Sequence, residues 1–246
     1  TERMLKFFGA NITTCQTDNL SWEITLDGDP ELKPFNLSIP ADPSSAAFPI
    51  VSAIITPNSK IKVLDVCINK LRTGLYKTLI EMGANIQFSN QREICGEAIA
   101  DITASYSSLK GVTIPKSRVV SMIDEYPILS IAATRATGET IMEGVEELRH
   151  KESDRIQTVC EGLQKIGIDT HATKDKMIVT GKGPNATLIG DVEIDSNLDH
   201  RIAMSFLCLG LVTEKSIIVR NTDTINSSFP FFMDKMNKIG AKLNFL

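Results

Sequence analysis

The sequence predicts an α/β (α+β) protein built from repeated strand–helix–strand–helix–strand units, with helices inside and sheets outside. Three observations lead there: a short phrase recurring at near-equal spacing, an amphipathic run before each recurrence, and a matched apolar run and β-branched strand upstream of the later ones.

The phrase occurs as Phe8-Gly9-Ala10-Asn11-Ile12, Met82-Gly83-Ala84-Asn85-Ile86, Ile166-Gly167-Ile168-Asp169-Thr170 and Ile239-Gly240-Ala241-Lys242-Leu243, with its glycines 74, 84 and 73 residues apart. The preceding runs have helical period, as in Leu75, Leu79, Ile80 and Met82, or Ile156, Val159, Leu163 and Ile166. A glycine there stops the helix, because it takes the left-handed conformation at no steric cost. The residues after each stop alternate like a strand. Helices commonly end in glycine, but four matches at near-equal spacing make coincidence a poor explanation.

Upstream, residues 48–56, 126–135 and 202–212 read as helices, and residues 61–66, 140–145 and 217–219 as strands. Three complete copies then cover residues 37–246, while residues 1–26 form the tail of an earlier copy. The boundary falls near Pro40 to Pro43, separating residues 1–40 from a three-repeat domain over residues 41–246. Units of this kind cannot each bury both faces of their sheets alone, which favours packing around one shared core.

A chain of 246 residues, 42% hydrophobic and 23% charged, can bury such a core. Its apolar runs are too short to span a membrane and no segment has the form of a secretory signal, so a cytoplasmic setting is expected. The five cysteines are spread out, odd in number and never paired as CxxC, which argues against a disulfide framework or structural zinc. The formal net charge of −4 argues against a general nucleic-acid surface, though not against a local pocket for a small anion. The opening Thr1-Glu2-Arg3-Met4-Leu5 reads as the inside of a helix, as a fragment of a longer protein would.

Three polar clusters stand just before expected helices: Asp124-Glu125-Tyr126-Pro127, residues 149–155, and Asp199-His200-Arg201. A helix amino terminus favours anions through its free N–H groups and its dipole. Lys151, Arg155 and Arg201 at two such ends would make a pocket for phosphate or carboxylate, to which arginine offers a bidentate fork. The rival reading is plain: Asp124, Asp154 and Asp199, each taken alone, are helix caps, and Lys151, Glu152 and Arg155 are an exposed, mutually compensating face. Arg201 resists that reading, since it runs straight into the apolar Ile202-Ala203-Met204. None of His150, His171 and His200 has metal-ligand spacing, no Gly-x-Ser-x-Gly elbow occurs, and Gly181-Lys182-Gly183-Pro184 is a turn rather than a phosphate loop.

The wording of these clusters resembles the EPSP synthases. Asp124-Glu125-Tyr126-Pro127-Ile128-Leu129, Glu147-Leu148-Arg149-His150-Lys151-Glu152-Ser153-Asp154-Arg155 and Leu198-Asp199-His200-Arg201-Ile202-Ala203-Met204-Ser205 are similar to successive signatures of that family. Asp42-Pro43-Ser44-Ser45-Ala46-Ala47-Phe48-Pro49 and residues 224–230 look like two more. The likeness runs over essentially the whole chain, in order, and Arg72-Thr73-Gly74-Leu75 adds a resemblance to the class II-like bacterial type with naturally low glyphosate sensitivity.

The resemblance implies an enolpyruvyl transferase "inside-out" α/β barrel domain of three βαβαββ repeats, the carboxy-terminal one of two. It implies shikimate 3-phosphate and phosphoenolpyruvate as substrates, no cofactor, and a monomeric full-length protein completed by an absent amino-terminal domain and an absent short opening segment. By motif, Asp124 would bind shikimate 3-phosphate and accept the proton of its attacking hydroxyl, with Lys151 beside it. Glu152 would handle protons at the methylene carbon of phosphoenolpyruvate, and Arg155 and Arg201 would grip its carboxylate. One departure stands out: many members carry a lysine two residues before the Phe-Pro matching Phe229-Pro230, where this chain has Ser227. Two rival readings are the related UDP-N-acetylglucosamine enolpyruvyl transferase and a non-catalytic repeat domain that keeps the architecture without chemistry.

Overall fold

The computed structural model describes residues 1–18 and 21–245. Asn19, Leu20 and Leu246, which fall inside the expected domain spans, lie outside the described residues. The chain opens with α1 (Glu2–Phe7) and an antiparallel pair, β1 (Ile12–Gln16) and β2 (Trp22–Leu26). Residues 27–40 form no helix or strand.

The first repeat holds α2 (Pro43–Ile55), β3 (Lys60–Cys67), α3 (Gly74–Glu81), β4 (Asn85–Ile94) and β5 (Glu97–Ser105), led by a parallel bridge from Ala41 to Val66. The second holds β6 (Leu109–Lys110), β7 (Thr113–Ile114), α4 (Tyr126–Thr134), β8 (Ala136–Glu143), α5 (Arg155–Lys165), β9 (Asp169–Ala172) and β10 (Lys176–Lys182). The third holds β11 (Val192–Asp195), α6 (His200–Leu209), β12 (Ile217–Arg220), α7 (Ile225–Ser228) and α8 (Phe232–Lys238).

Strand pairing exposes the repeat more sharply than element order. In the first two copies a leading segment pairs parallel to the next strand, which pairs antiparallel to the last, which in turn pairs with the third. The parallel steps are strand–helix–strand crossovers, which put each helix on one face of its sheet. The third copy keeps only the parallel pair β11–β12. The strand expected after Gly240 does not form: among the described residues, 241–245 pair with no strand. The Asn237 side chain instead donates to the Leu243 carbonyl and accepts from its N–H, both at 2.8 Å, standing in for a ladder neighbour. Beside this incomplete sheet runs a groove of about 1190 Å³, bordered by Pro49, Ile61, Ile217, Val219, Met236 and Leu243.

The leading helices α2, α4 and α6 pack against one another at the centre, and all nine residues of α4 are buried. Helices that are apolar all round belong inside, which places the sheets outside. The repeated glycines stop their helices as expected, at φ of +102° for Gly9, +98° for Gly83, +79° for Gly167 and +108° for Gly240. Boundaries shift where local chemistry outweighs periodicity. Helix α2 starts at Pro43, five residues before the expected start, because Asp42 caps it by accepting from Ser45 N at 2.8 Å and proline suits the first helical position. Strand β8 starts at Ala136 rather than at residue 140, drawn on by its pairing with β10, and residues 210–212 finish α6 as a 3₁₀ turn.

Where α5 meets α6 the helices approach closely enough that a Cβ on Gly162 would fall 2.2 Å from the Phe206 ring, which is itself fully buried. Gly162→Ala is therefore expected to destabilise the domain by about 1–3 kcal/mol through overpacking, despite alanine's better helix propensity. Urea unfolding measures this, and a neutral or stabilising result would contradict the close packing.

Candidate active site

Two of the three acids left open between capping and chemistry are caps. Asp154 accepts from Gln157 N at 3.0 Å, and Asp199 accepts from Arg201 N at 2.9 Å and Ile202 N at 3.4 Å. Asp124 caps nothing: it lies in the 3₁₀ turn Ile123–Glu125 ahead of α4, and its carboxylate faces two arginines.

Arg155 opens α5 with its side chain only 1% exposed. Its Nε donates to Asp199 Oδ2 at 2.8 Å, Nη1 to Asp124 Oδ1 at 3.1 Å and Nη2 to Glu152 Oε2 at 2.6 Å. Arg201, in the first turn of α6, is held more loosely. Its Nη2 lies 3.6 Å from Asp124 Oδ2, and its Nη1 lies 3.4 Å from the Asp124 carbonyl oxygen and 3.7 Å from Glu125 Oε1. Asp124, Glu152, Arg155 and Arg201 thus form one connected cluster at helix starts of the second and third repeats. Lys151 stands at its edge, paired with Glu147 at 2.6 Å.

Environment separates two neighbouring acids. Burial pushes the Asp124 carboxyl up, but Arg201, and after it Arg155 and Lys151, outweigh burial and leave it below its ordinary value. For Glu125 burial wins over Ser44 and Arg201, so its carboxyl is raised. His200 is pushed down, by burial first and then by Arg201, and is neutral at pH 7.

An ionised carboxylate beside two guanidiniums can take a proton from a hydroxyl, and a loosely held arginine can receive a carboxylate. Yet among the described residues four carboxylates, Asp124, Glu125, Glu152 and Asp199, surround two guanidiniums, which makes the cluster alone a weak attractor for phosphate. Sequence reasoning overlooked Glu125, and saw Asp199 only as a cap although it is also the fully buried anchor of Arg155. The sequence offered only their position at helix starts: Glu125 is followed by Tyr126 and Asp199 by His200, and neither partner is a sequence neighbour.

Comparison with known proteins places the chain. The model of the family described as EPSP synthase (3-phosphoshikimate 1-carboxyvinyltransferase) matches residues 1–236. Among curated relatives, the 3-phosphoshikimate 1-carboxyvinyltransferase of Paracoccus denitrificans is 50% identical over 244 residues, covering 99% of this chain and 54% of that protein. The one of Parvibaculum lavamentivorans is 48% identical over 241 residues, covering 98% and 53%. The chain spans about half the length of the curated relatives it matches. A solved EPSP synthase from Acinetobacter baumannii superposes with a TM-score of 0.91 at 42% identity, over 98% of this chain and 54% of that one. The enolpyruvyl transferase NikO from Streptomyces tendae shares the fold, with a TM-score of 0.74 at 19% identity. The inside-out α/β architecture, the successive polar signatures and these matches agree, and the chain belongs to the EPSP synthase family.

Proposed function

We propose that the protein carrying this chain transfers the enolpyruvyl group of phosphoenolpyruvate to the 5-hydroxyl of shikimate 3-phosphate, releasing phosphate, in the cytoplasm, as a monomer, and without a cofactor. The observation that carries this reading is Asp124, kept ionised between Arg155 and Arg201 at converging helix starts. Asp124 accepts the hydroxyl proton as the oxygen bonds to the substituted carbon of the enol. Glu152, whose side chain is 49% exposed and so reachable, delivers a proton to the methylene carbon. Glu152 then takes a proton back from the methyl group so formed, while phosphate leaves with the proton held by Asp124, which restores the double bond and returns both side chains to their starting states.

Lys151 contacts shikimate 3-phosphate near the attacking hydroxyl. Arg201, 15% exposed and held at 3.4–3.7 Å, is the readier grip for the phosphoenolpyruvate carboxylate. Arg155 joins it when Glu152 turns from Nη2 towards the substrate, leaving that nitrogen free. Residues 1–40 end the amino-terminal domain, and residues 41–246 are the carboxy-terminal one. The acid-rich balance of this cluster supports placing the phosphate-holding cations on the absent domain, all the more because Ser227 brings none. The open groove beside β12 supports the absent opening segment as the missing strand of the third sheet.

Arg201→Lys in the full-length protein keeps charge but loses the fork. Steady-state kinetics should show the KM for phosphoenolpyruvate rising about tenfold or more, with that for shikimate 3-phosphate within about twofold; equal losses would count against a donor-carboxylate role.

The chain alone should have no appreciable synthase activity. Orienting two reactants is worth about 7–11 kcal/mol, most of which an open half-cleft forfeits. Phosphate release from both substrates is the assay, repeated after adding a separately made amino-terminal domain. Activity only on mixing supports the division of labour, and substantial turnover by the chain alone refutes it.

A further inference from the structure

Glu125 is only 4% exposed, and among the described residues its Oε1 has no hydrogen-bond partner. A buried carboxylate oxygen without a donor is costly, so its retention asks for a reason. The nearest cation is Arg201, whose Nη1 lies 3.7 Å away, within ion-pair reach but beyond a hydrogen bond. On another side is Ser44 in the first turn of α2, a buried hydroxyl that favours the charged form of Glu125 and itself accepts from Arg72 Nη2 at 2.9 Å. Arg72 is in turn paired with Asp42, the cap of α2, at 3.4 Å. Glu125 is therefore where the leading helices of all three repeats meet: α2 through Ser44, α4 through its own turn, and α6 through Arg201.

We propose that Glu125 is a positioning residue, whose buried carboxylate holds the Arg201 guanidinium in the orientation that receives the donor carboxylate. This rests on Arg201 being that grip. The contrast between the two arginines supports it. Arg155 is locked by three contacts of 2.6–3.1 Å, whereas among the described residues no polar contact of Arg201's guanidinium is closer than 3.4 Å. A guanidinium placed by charge rather than by short hydrogen bonds keeps its donors for a ligand. It then needs anions on more than one side to keep it from collapsing onto Asp124. Asp124 supplies one and Glu125 the other. Without Glu125, Arg201 is expected to close onto Asp124, occupying the base and withdrawing from the donor.

The test is steady-state kinetics of the full-length protein with Glu125→Gln, Glu125→Asp and Arg201→Lys, each with a thermal melt. Glu125→Gln, which keeps shape and removes charge, should raise the KM for phosphoenolpyruvate about tenfold and leave that for shikimate 3-phosphate within about twofold. Glu125→Asp, which keeps charge, should recover most of the loss. An unchanged phosphoenolpyruvate KM in Glu125→Gln overturns the proposal while Arg201→Lys still raises it, and if neither variant raises it, the reading of Arg201 fails first. Should Glu125→Gln melt well below the parent, Glu125→Asp decides. A phosphoenolpyruvate KM near the parent's supports a charge role, whereas a loss as large as that of Glu125→Gln assigns Glu125 to packing and overturns the proposal.

Discussion

One guanidinium organises the face on which the helices of this domain begin. Arg155 is buried, and each of its three nitrogens meets a carboxylate from a different stretch of chain: the turn before α4, the loop before α5 and the cap of α6. Charges removed from water repay that cost only when geometry and hydrogen bonding are both satisfied. Asp199 shows how fully they are, since its carboxylate also accepts from Ser153 at 3.1 Å and from two backbone N–H groups. Breaking such a set strands a carboxylate that has no exposure at all. The second and third repeats are thereby fixed in register at the end where their acids and cations must meet.

The groups around this fixed hub are held more loosely. Asp124 gives one oxygen to Arg155 and turns the other towards Arg201. Glu152 is anchored to Arg155 yet half exposed, and Arg201 hangs between two acids without a short hydrogen bond. A buried cation sets the positions, and the groups around it are less tightly held. The surplus of acids over cations in the same place leaves this face, taken alone, a weak site for phosphate.

The repeat was legible because it rests on local rules. Glycines at helix ends, apolar faces of helical period and β-branched strands are all written in consecutive residues, and the four glycine stops fall where they were expected. Boundaries were less legible: the start of α2 depends on a cap and a proline, while the strand expected after Gly240 needs a partner that the described residues do not supply. Within the cluster, residue types and helix-start positions could be read, but the division of labour could not. That Asp199 anchors Arg155 across 44 positions, and that Glu125 faces Arg201 from the next repeat, are facts of packing with no local signature. Which of the three aspartates cap a helix became visible only from the atoms that they face.

The most direct test of the hub is the unfolding free energy of Arg155→Met, compared with the parent chain in urea at neutral pH. If Arg155 holds the helix starts together against its carboxylates, removing it leaves the Asp199 charge buried without its cation and should cost about 3–5 kcal/mol. A loss below about 1 kcal/mol, the value of an ordinary surface ion pair, would contradict the account.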